Sequence, residues 1–487
     1  AKVQHRRILH GQHFMGTVPD AGAALDADDR EVLFPVKADY PHHTGLHAVP
    51  AAQAFFFLEA HAPALAGCKC PAVAGCCAGR LRAAAADVRH QPALQAADAF
   101  LGKIRQEIDP ARTLLIILSP TPGLRAQAQG YTLTPLVISG PGFSEGRLFS
   151  TTTKRAGIVT NTDVAPTILA FLGLPVPAEA AGRPLESRPA AGALAALGAE
   201  EARLTTAAFW QQPVLKFFTV FLDTLFICCG LCLLWPELPW RRPLRGFLLL
   251  ATGLPLALLL APLPTDPRLF LPFFLGVLVV LYGCLFLLAG RSFSPLFFLY
   301  LGTVGVVLLD HFLGAPLAKR SLLSYSPLAG SRFYGLGNEY MGVLLGAALM
   351  GAGYAFERWR GQRWLLPGLL AFFALLAFIL GAPGLGTNVG GFLAAAVGFG
   401  VAIPSFAEKK VAWRNLLLCL GAAFAFLVLL GVLDSLRPAA SQTHLGRLVA
   451  AMRAGGLGPF WEVARRKLAM NLKLVRFSGW SRVVIFA

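Results

Sequence analysis

Apolar runs of about 20 residues recur from Val214 onward, each closed by a short polar or proline-bearing loop. A helix of that length crosses a bilayer. Eight such runs are predicted, at roughly 214–235, 244–262, 269–289, 294–313, 340–356, 364–381, 389–406 and 414–433. The pattern before them is different. Polar stretches, prolines and most of the histidines fall in residues 1–212. After them, a basic amphipathic tail begins near Asp434.

Within the first part, residues 91–187 show order. "ALQAADAFLGKIRQEI" places Leu94, Ala97, Leu101 and Ile104 on one helical face. "TLLIILSPTPG", Thr113 to Gly123, reads as a buried strand of a parallel sheet, stopped by two prolines. "LTPLVISGPG" reads as a second strand ending in a tight turn. "TNTDVAPTILAFLGLP" reads as a helix capped by Thr162 or Asp163, with Pro166 suited to its first turn. Strand, strand and helix in that order predict an α/β sandwich. The expected organisation is four parts: an exported region over 1–90, an α/β domain over 91–212, an all-α transmembrane domain of about eight helices over 213–434, and an exported basic tail over 435–487.

Composition agrees with a lipid environment. The chain is 55% hydrophobic and only 14% charged, whereas soluble proteins carry about 25% charged residues. A net charge of +17 would favour nucleic acid in a soluble protein, but many cations here sit in short loops between apolar runs. No zinc finger or aromatic RNA-binding motif is present, and nucleic acid is not an expected partner. Alternate loops are cationic: Arg241, Arg242 and Arg245; Arg291; Arg358, Arg360 and Arg363; Lys409, Lys410 and Arg414. Positive loops face the cytoplasm, so the chain is expected to be a multi-pass protein of the cell membrane with its first 212 residues extracytoplasmic. Two segments break the alternation. The loop 314–339 carries Lys319, Arg320 and Arg332, and the tail carries Arg465, Arg466, Lys467, Lys473 and Arg476, yet both fall on the outer side. The opening "AKVQHRRILHGQHFMG" and the closing "GWSRVVIFA" suggest that the chain continues at both ends.

The segment "TTTKRAGIVTNTDVAPTILAFLGLPVP", with "AGRPL" after it, resembles the C-terminal part of the alkaline phosphatase-like superfamily. That superfamily includes sulfatases, phosphoglycerate mutases and phosphodiesterases. The likeness covers about Arg112 to Leu185. It implies that the strand "LLIILS" should end in Asp-His or Asp-Asn at a metal site, where Ser119 and Pro120 stand instead. Tyr131 and Thr132 stand near the place of a mutase histidine. Neither Ser119 nor Pro120 is a good metal ligand, so the resemblance implies an emptied site with no metal and no cofactor. Asp163 reads as a helix cap beside the alternative of a catalytic acid.

Further candidates lie on the outer side of the membrane half. Arg332, Asn338 and Glu339 stand where the fifth run begins, with Gly335 and Gly337 allowing tight backbone. Asp310 and His311 end the fourth run, Asn388 begins the seventh, and His444 follows the eighth. Ionisable residues at membrane depth are functional candidates, and helix capping is the competing reading for Asn338 and Glu339. The Arg-x2-Gly-x2-Asn arrangement also resembles membrane glycan ligases and polymerases, which implies recognition of a lipid diphosphate. Asp223 lies inside the first run and needs a partner there. His5, His10, His13, His42, His43, His47 and His61 form either a zinc-binding cluster or a solvated loop. Cys68, Cys70, Cys76 and Cys77 suit two disulfides or a metal knuckle. The other five cysteines lie in apolar runs as packing residues.

Together these features predict an envelope protein that handles a phosphorylated or lipid-linked substrate at the outer leaflet. Its partners would be membrane lipid and a lipid-linked envelope polymer. A transporter or flippase, a glycan ligase-like protein and a non-catalytic membrane scaffold are the alternatives.

Overall fold

A computed structural model describes residues 32–33, 54–59 and, with short breaks, 91–486. The breaks fall at 123–132, 178–179, 236, 262, 290–293, 326–327, 329–332, 383–384, 408–411, 438–441 and 443. The histidine cluster, the four N-terminal cysteines, Tyr131, Thr132 and Arg332 lie outside the described residues.

Helix α1 (Gln91–Glu107) turns Ala97, Leu101 and Ile104 to its less exposed side, at the predicted spacing, while Leu94 is half exposed. The strands β1 (Val32–Leu33), β2 (Ala54–Glu59), β3 (Thr113–Leu118) and β4 (Leu136–Ser139) form one sheet in that order. Leu114 and Ile116 of β3 are fully buried. The predicted parallel direction is wrong: β3 runs antiparallel to β2 and to β4, with Leu115 opposite Ser139 and Leu118 opposite Leu136. An apolar run reports burial on both faces. A central strand has that burial whichever way its neighbours run.

A second, two-stranded sheet pairs β5 (Gly146–Phe149) with β6 (Glu186–Pro189). A Cβ at Gly146 would stand 2.0 Å from the Arg188 carbonyl oxygen, so only glycine allows this pairing. Between these strands a 3-10 turn, Asn161–Asp163, leads into α2 (Val164–Phe171), and Pro166 lies buried in its first turn. The Asp163 side chain makes no cap to this helix. It is fully buried and accepts from Thr152 Oγ1 at 2.6 Å, Thr160 N at 3.0 Å, Thr160 Oγ1 at 2.9 Å and Arg183 N at 2.9 Å. Thr167 Oγ1 donates to the Asp163 carbonyl and accepts from Leu185 N. A Cβ at Gly182 would lie 1.9 Å from the Thr162 carbonyl oxygen. The "TDVAPT" and "GRPL" segments are thus one hydrogen-bonded unit, which accounts for their joint appearance in the sequence.

Helix α3 (Ala193–Leu234) has 42 residues, roughly 63 Å at 1.5 Å per residue. It leaves the amino-terminal region and continues as the first apolar helix of a bundle. The bundle continues with α4 (Arg241–Leu260), α5 (Phe270–Ala289), α6 (Pro295–Phe312), α7 (Asn338–Arg358), α8 (Leu365–Gly381), α9 (Val389–Phe406) and α10 (Trp413–Ser435). Among the described residues seven helices are long and apolar enough to cross a membrane. The sixth predicted run forms α8, which is apolar but has 17 residues, at the lower limit for spanning. The chain is an integral membrane protein by this pattern. Helix α5 shows why: only 6% of its apolar window is covered by protein, and lipid is the solvent that such a surface needs. The bundle core is tight, with Leu299, Leu344, Leu376 and Ala395 at 0% exposure and Phe373 stacked on Phe399 at 4.1 Å.

Hydrogen bonds define the bundle end that faces the amino-terminal region, called here the near end. Trp210 Nε1 of α3 donates to the Pro267 carbonyl, Gln211 Nε2 donates to the Leu322 and Ser324 carbonyls, and Ser321 Oγ donates to the Leu258 carbonyl. Leu336 N donates to the Gly386 carbonyl, joining the α6–α7 and α8–α9 connections. Three further helices, α11 (His444–Gly455), α12 (Gly458–Phe477) and α13 (Gly479–Phe486), form the tail.

Asp163 generates the first prediction. Asp163→Ala leaves the Thr160 and Arg183 amides and the Thr152 hydroxyl without their acceptor, at a cost of about 3 kcal/mol or more. Asp163→Asn, which keeps one acceptor oxygen, should lose less. Protease susceptibility of residues 140–190 in the full chain checks this; equal resistance in Asp163→Ala and the parent would contradict it.

Candidate functional site

The near end brings several of the predicted residues together, and gives most of them structural work. Asn388 precedes α9 and is 5% exposed. Its Oδ1 accepts from Gly391 N at 2.8 Å, as an N-cap does, while its Nδ2 donates to the Leu336 carbonyl at 3.0 Å and to Asn338 Oδ1 at 3.2 Å. Asn338 and Asn388 therefore meet, and their contact ties two connections. Asn338 and Glu339 are themselves exposed in the first turn of α7, where a carboxylate suits the helix dipole. Asp310 is 2% exposed, and its two oxygens accept from Leu317 N at 2.6 Å and Ala318 N at 2.9 Å. This carboxylate caps the short turn Ala318–Arg320. His311 is buried, with Nδ1 3.0 Å from the Val307 carbonyl oxygen and Nε2 lacking a hydrogen-bond partner among the described residues. His444 begins α11. At the end of β3, Ser119 Oγ donates to the Thr121 carbonyl. Among the described residues no three His, Cys, Asp or Glu side chains stand close enough to share a metal ion.

The strongest chemistry lies where sequence reasoning did not place a site. A cavity of about 570 Å³ opens where three segments meet: β5 with the loop after it, the first turns of α3, and the connection after α6. Six cations line it, Arg147, Lys154, Arg155, Arg203, Lys319 and Arg320, against one carboxylate, Glu200. Glu200 sits at their centre. Its Oε1 lies 3.2 Å from Arg155 Nη2, and its Oε2 lies 3.7 Å from both Arg203 Nη1 and Arg320 Nη2.

Arg155 is the least accessible of these cations, at 6% exposure, and its Nη1 has no hydrogen-bond partner among the described residues. Burial holds the Arg155 pKa below its ordinary value, and the facing Glu200 opposes that shift. Burial likewise lowers the pKa of Lys154 and of Lys319, the latter also through Arg155. One carboxylate cannot neutralise six cations, so the pocket carries a positive field into a partly water-excluded space.

The field extends sideways. Lys154 Nζ lies over the Tyr334 ring, 4.2 Å from its centroid, a cation–π contact. Asp434, buried at the end of α10, faces Lys154, accepts from Gly446 N at 3.1 Å and lies 3.6 Å from Arg437 Nη1. Arg447 joins this group, its pKa lowered by burial and then by Arg183. A Cβ at Gly446 would stand 2.4 Å from Asp434 Oδ2, so a glycine lets α11 close over the end of α10.

A signal for this site was present in the sequence. Lys319 and Arg320 were out of place against the alternation of charged loops, and both line the pocket. Nothing local marked Lys154 and Arg155 in "TTTKRAG", or Glu200 and Arg203 in α3, because surface Lys, Arg and Glu are the rule. Comparison of the chain with family models, with curated proteins and with solved structures finds no match.

Proposed function

We propose that this membrane protein binds a phosphorylated or lipid-linked envelope substrate through its phosphoryl groups, in the cationic pocket at the near end of the bundle. The observation that carries this reading is Arg155: a guanidinium buried in a pocket wall, with an unpartnered Nη1 among five other cations. A buried guanidinium donor left over after the Glu200 pair is costly, and a phosphoryl anion accepts the planar donor fork that arginine offers. The cavity has the size of a small-molecule site. It lies beside Leu313 and Gly314, directly after the apolar helix α6, so a headgroup carried by lipid reaches it without leaving the membrane surface.

The amino-terminal region, in this reading, is a phosphatase-like frame that holds the anion without a metal centre. Its support is the hydrogen-bonded "TDVAPT"–"GRPL" unit and the absence of carboxylate or imidazole at Ser119 and Pro120. The near end faces outward. Supporting this, Arg241, Arg242, Arg245, Arg358, Arg360 and Arg363 all lie at or next to helix ends remote from the near end, and positive loops stay in the cytoplasm.

Inorganic pyrophosphate and a short-chain lipid diphosphate, titrated onto the detergent-solubilised chain, test the site and separate the two sources of the anion. Arg155→Ala should weaken both at least about tenfold, and Arg155→Lys should recover little because the fork is lost. Arg320→Ala, at the half-exposed rim, should weaken binding without risk to folding. Parent-like affinity in both the Arg155→Ala and Arg320→Ala variants would refute the reading.

Affinity should also fall as pH rises. The ammonium forms of Lys154 and Lys319 hold the anion, and burial lowers both from 10.5, so the loss begins below the ordinary lysine range. The empty protein responds oppositely. Between the lowered and the ordinary values the unfolded chain binds more protons, so these two groups add stability as pH rises. Calorimetric affinity that stays flat up to about pH 10 would contradict the assignment.

Orientation is checked by labelling intact cells with a membrane-impermeant thiol reagent, against the parent's background. Thr121→Cys should be marked and Arg245→Cys should not. The reverse pattern would place the pocket in the cytoplasm.

A further inference from the structure

Helix α12 leaves a large apolar surface uncovered. Trp461, Leu468, Leu472 and Val475 are between 62% and 69% exposed. With Ala464 they follow spacings of three and four residues, which puts them in one stripe along the helix. By the same spacing Arg465 and Arg476 flank one edge of the stripe, Lys467 lies near the other, and Arg466 and Lys473 lie opposite. An apolar stripe with cations at its edges is the pattern of a helix lying in a membrane interface, with long basic side chains reaching the headgroups.

The two ends of α12 are held at the right level. Before it, α11 packs on the end of α10: Gly446 N donates to Asp434 Oδ2, and a Cβ at Gly431 would stand 2.8 Å from Val449. After it, α13 returns to α3, where Trp480 meets the Phe218 ring edge-on at 5.8 Å. Phe218 stands near the start of the apolar part of α3, at the near end. A helix of 20 residues, roughly 30 Å long, thus runs between two anchors at the near-end boundary of the bundle. It is not among the helices long and apolar enough to cross a membrane.

We propose that α12 lies in the headgroup–acyl boundary of the near-end leaflet and binds anionic phospholipid. Charge decides the occupant. Five cations against the single acid Glu462 suit an anionic leaflet, with each cation near the surface adding to the attraction, and would repel a second copy of the same helix. This surface is separate from the pocket and does not depend on what the pocket holds.

Amide hydrogen exchange of the full chain in nanodiscs tests it. The residues 458–477 should exchange at least about tenfold more slowly in discs containing phosphatidylglycerol than in discs of phosphatidylcholine alone. Leu468→Asp, and independently the triple variant Arg465→Glu, Lys467→Glu, Arg476→Glu, should abolish that difference while the bundle helices keep their protection. Equal exchange in both lipids would overturn the proposal. So would protection that follows the number of protein copies per disc instead of lipid charge, which would assign the stripe to a second copy.

Discussion

The near end is organised around one carboxylate. Glu200 lies among Arg155, Arg203 and Arg320, which come from the amino-terminal region, from α3 itself and from the turn after α6. These three segments have no shared local reason to meet. With the contact of Lys154 on Tyr334, the Glu200 cluster joins a polar region to a bundle built for lipid. It also leaves an imbalance, because five more positive charges than negative ones remain around the same cavity. The junction that holds the halves together is thereby also the place proposed for an anion.

Small residues and buried polar caps make this junction narrow. Asp310 and Asn388 spend their hydrogen bonds on backbone amides and carbonyls of the connections they close, which frees those connections from water at a membrane boundary. Gly446 allows α11 to approach Asp434, and Gly182 allows "GRPL" to reach the turn before α2. Of the predicted polar residues, the buried Asp310 and Asn388 act as fasteners. The cations that face open space are others.

The bundle and the tail solve the same problem in two ways. Helix α5 packs one face through Phe270 and Leu285 and leaves most of its apolar surface to lipid. Helix α12 presents one stripe and needs lipid beneath it only. Both depend on a solvent that is not water. The cations of the pocket and of α12 would, in the proposed placement, meet the phosphate groups of lipid or substrate.

The sequence by itself determined the eight apolar helices, the helix at Gln91–Glu107, the strands at Thr113–Leu118 and Leu136–Ser139, and the helix around Val164–Phe171. Each is a property of neighbours within one window: periodicity, run length, a proline or glycine stop. Strand direction was not such a property, and β3 proved antiparallel. Nor was the full work of Asp163, which closes the capping box with Thr160 and also holds Thr152 and, 20 positions away, Arg183. The pocket was least legible of all. Arg155 is an ordinary surface cation in sequence, and becomes part of a site only because the folded chain brings it, with Arg320, onto Glu200. Local order is written in spacing, but the sum of charges at a point depends on every segment that reaches it, and only the tertiary structure decides which do.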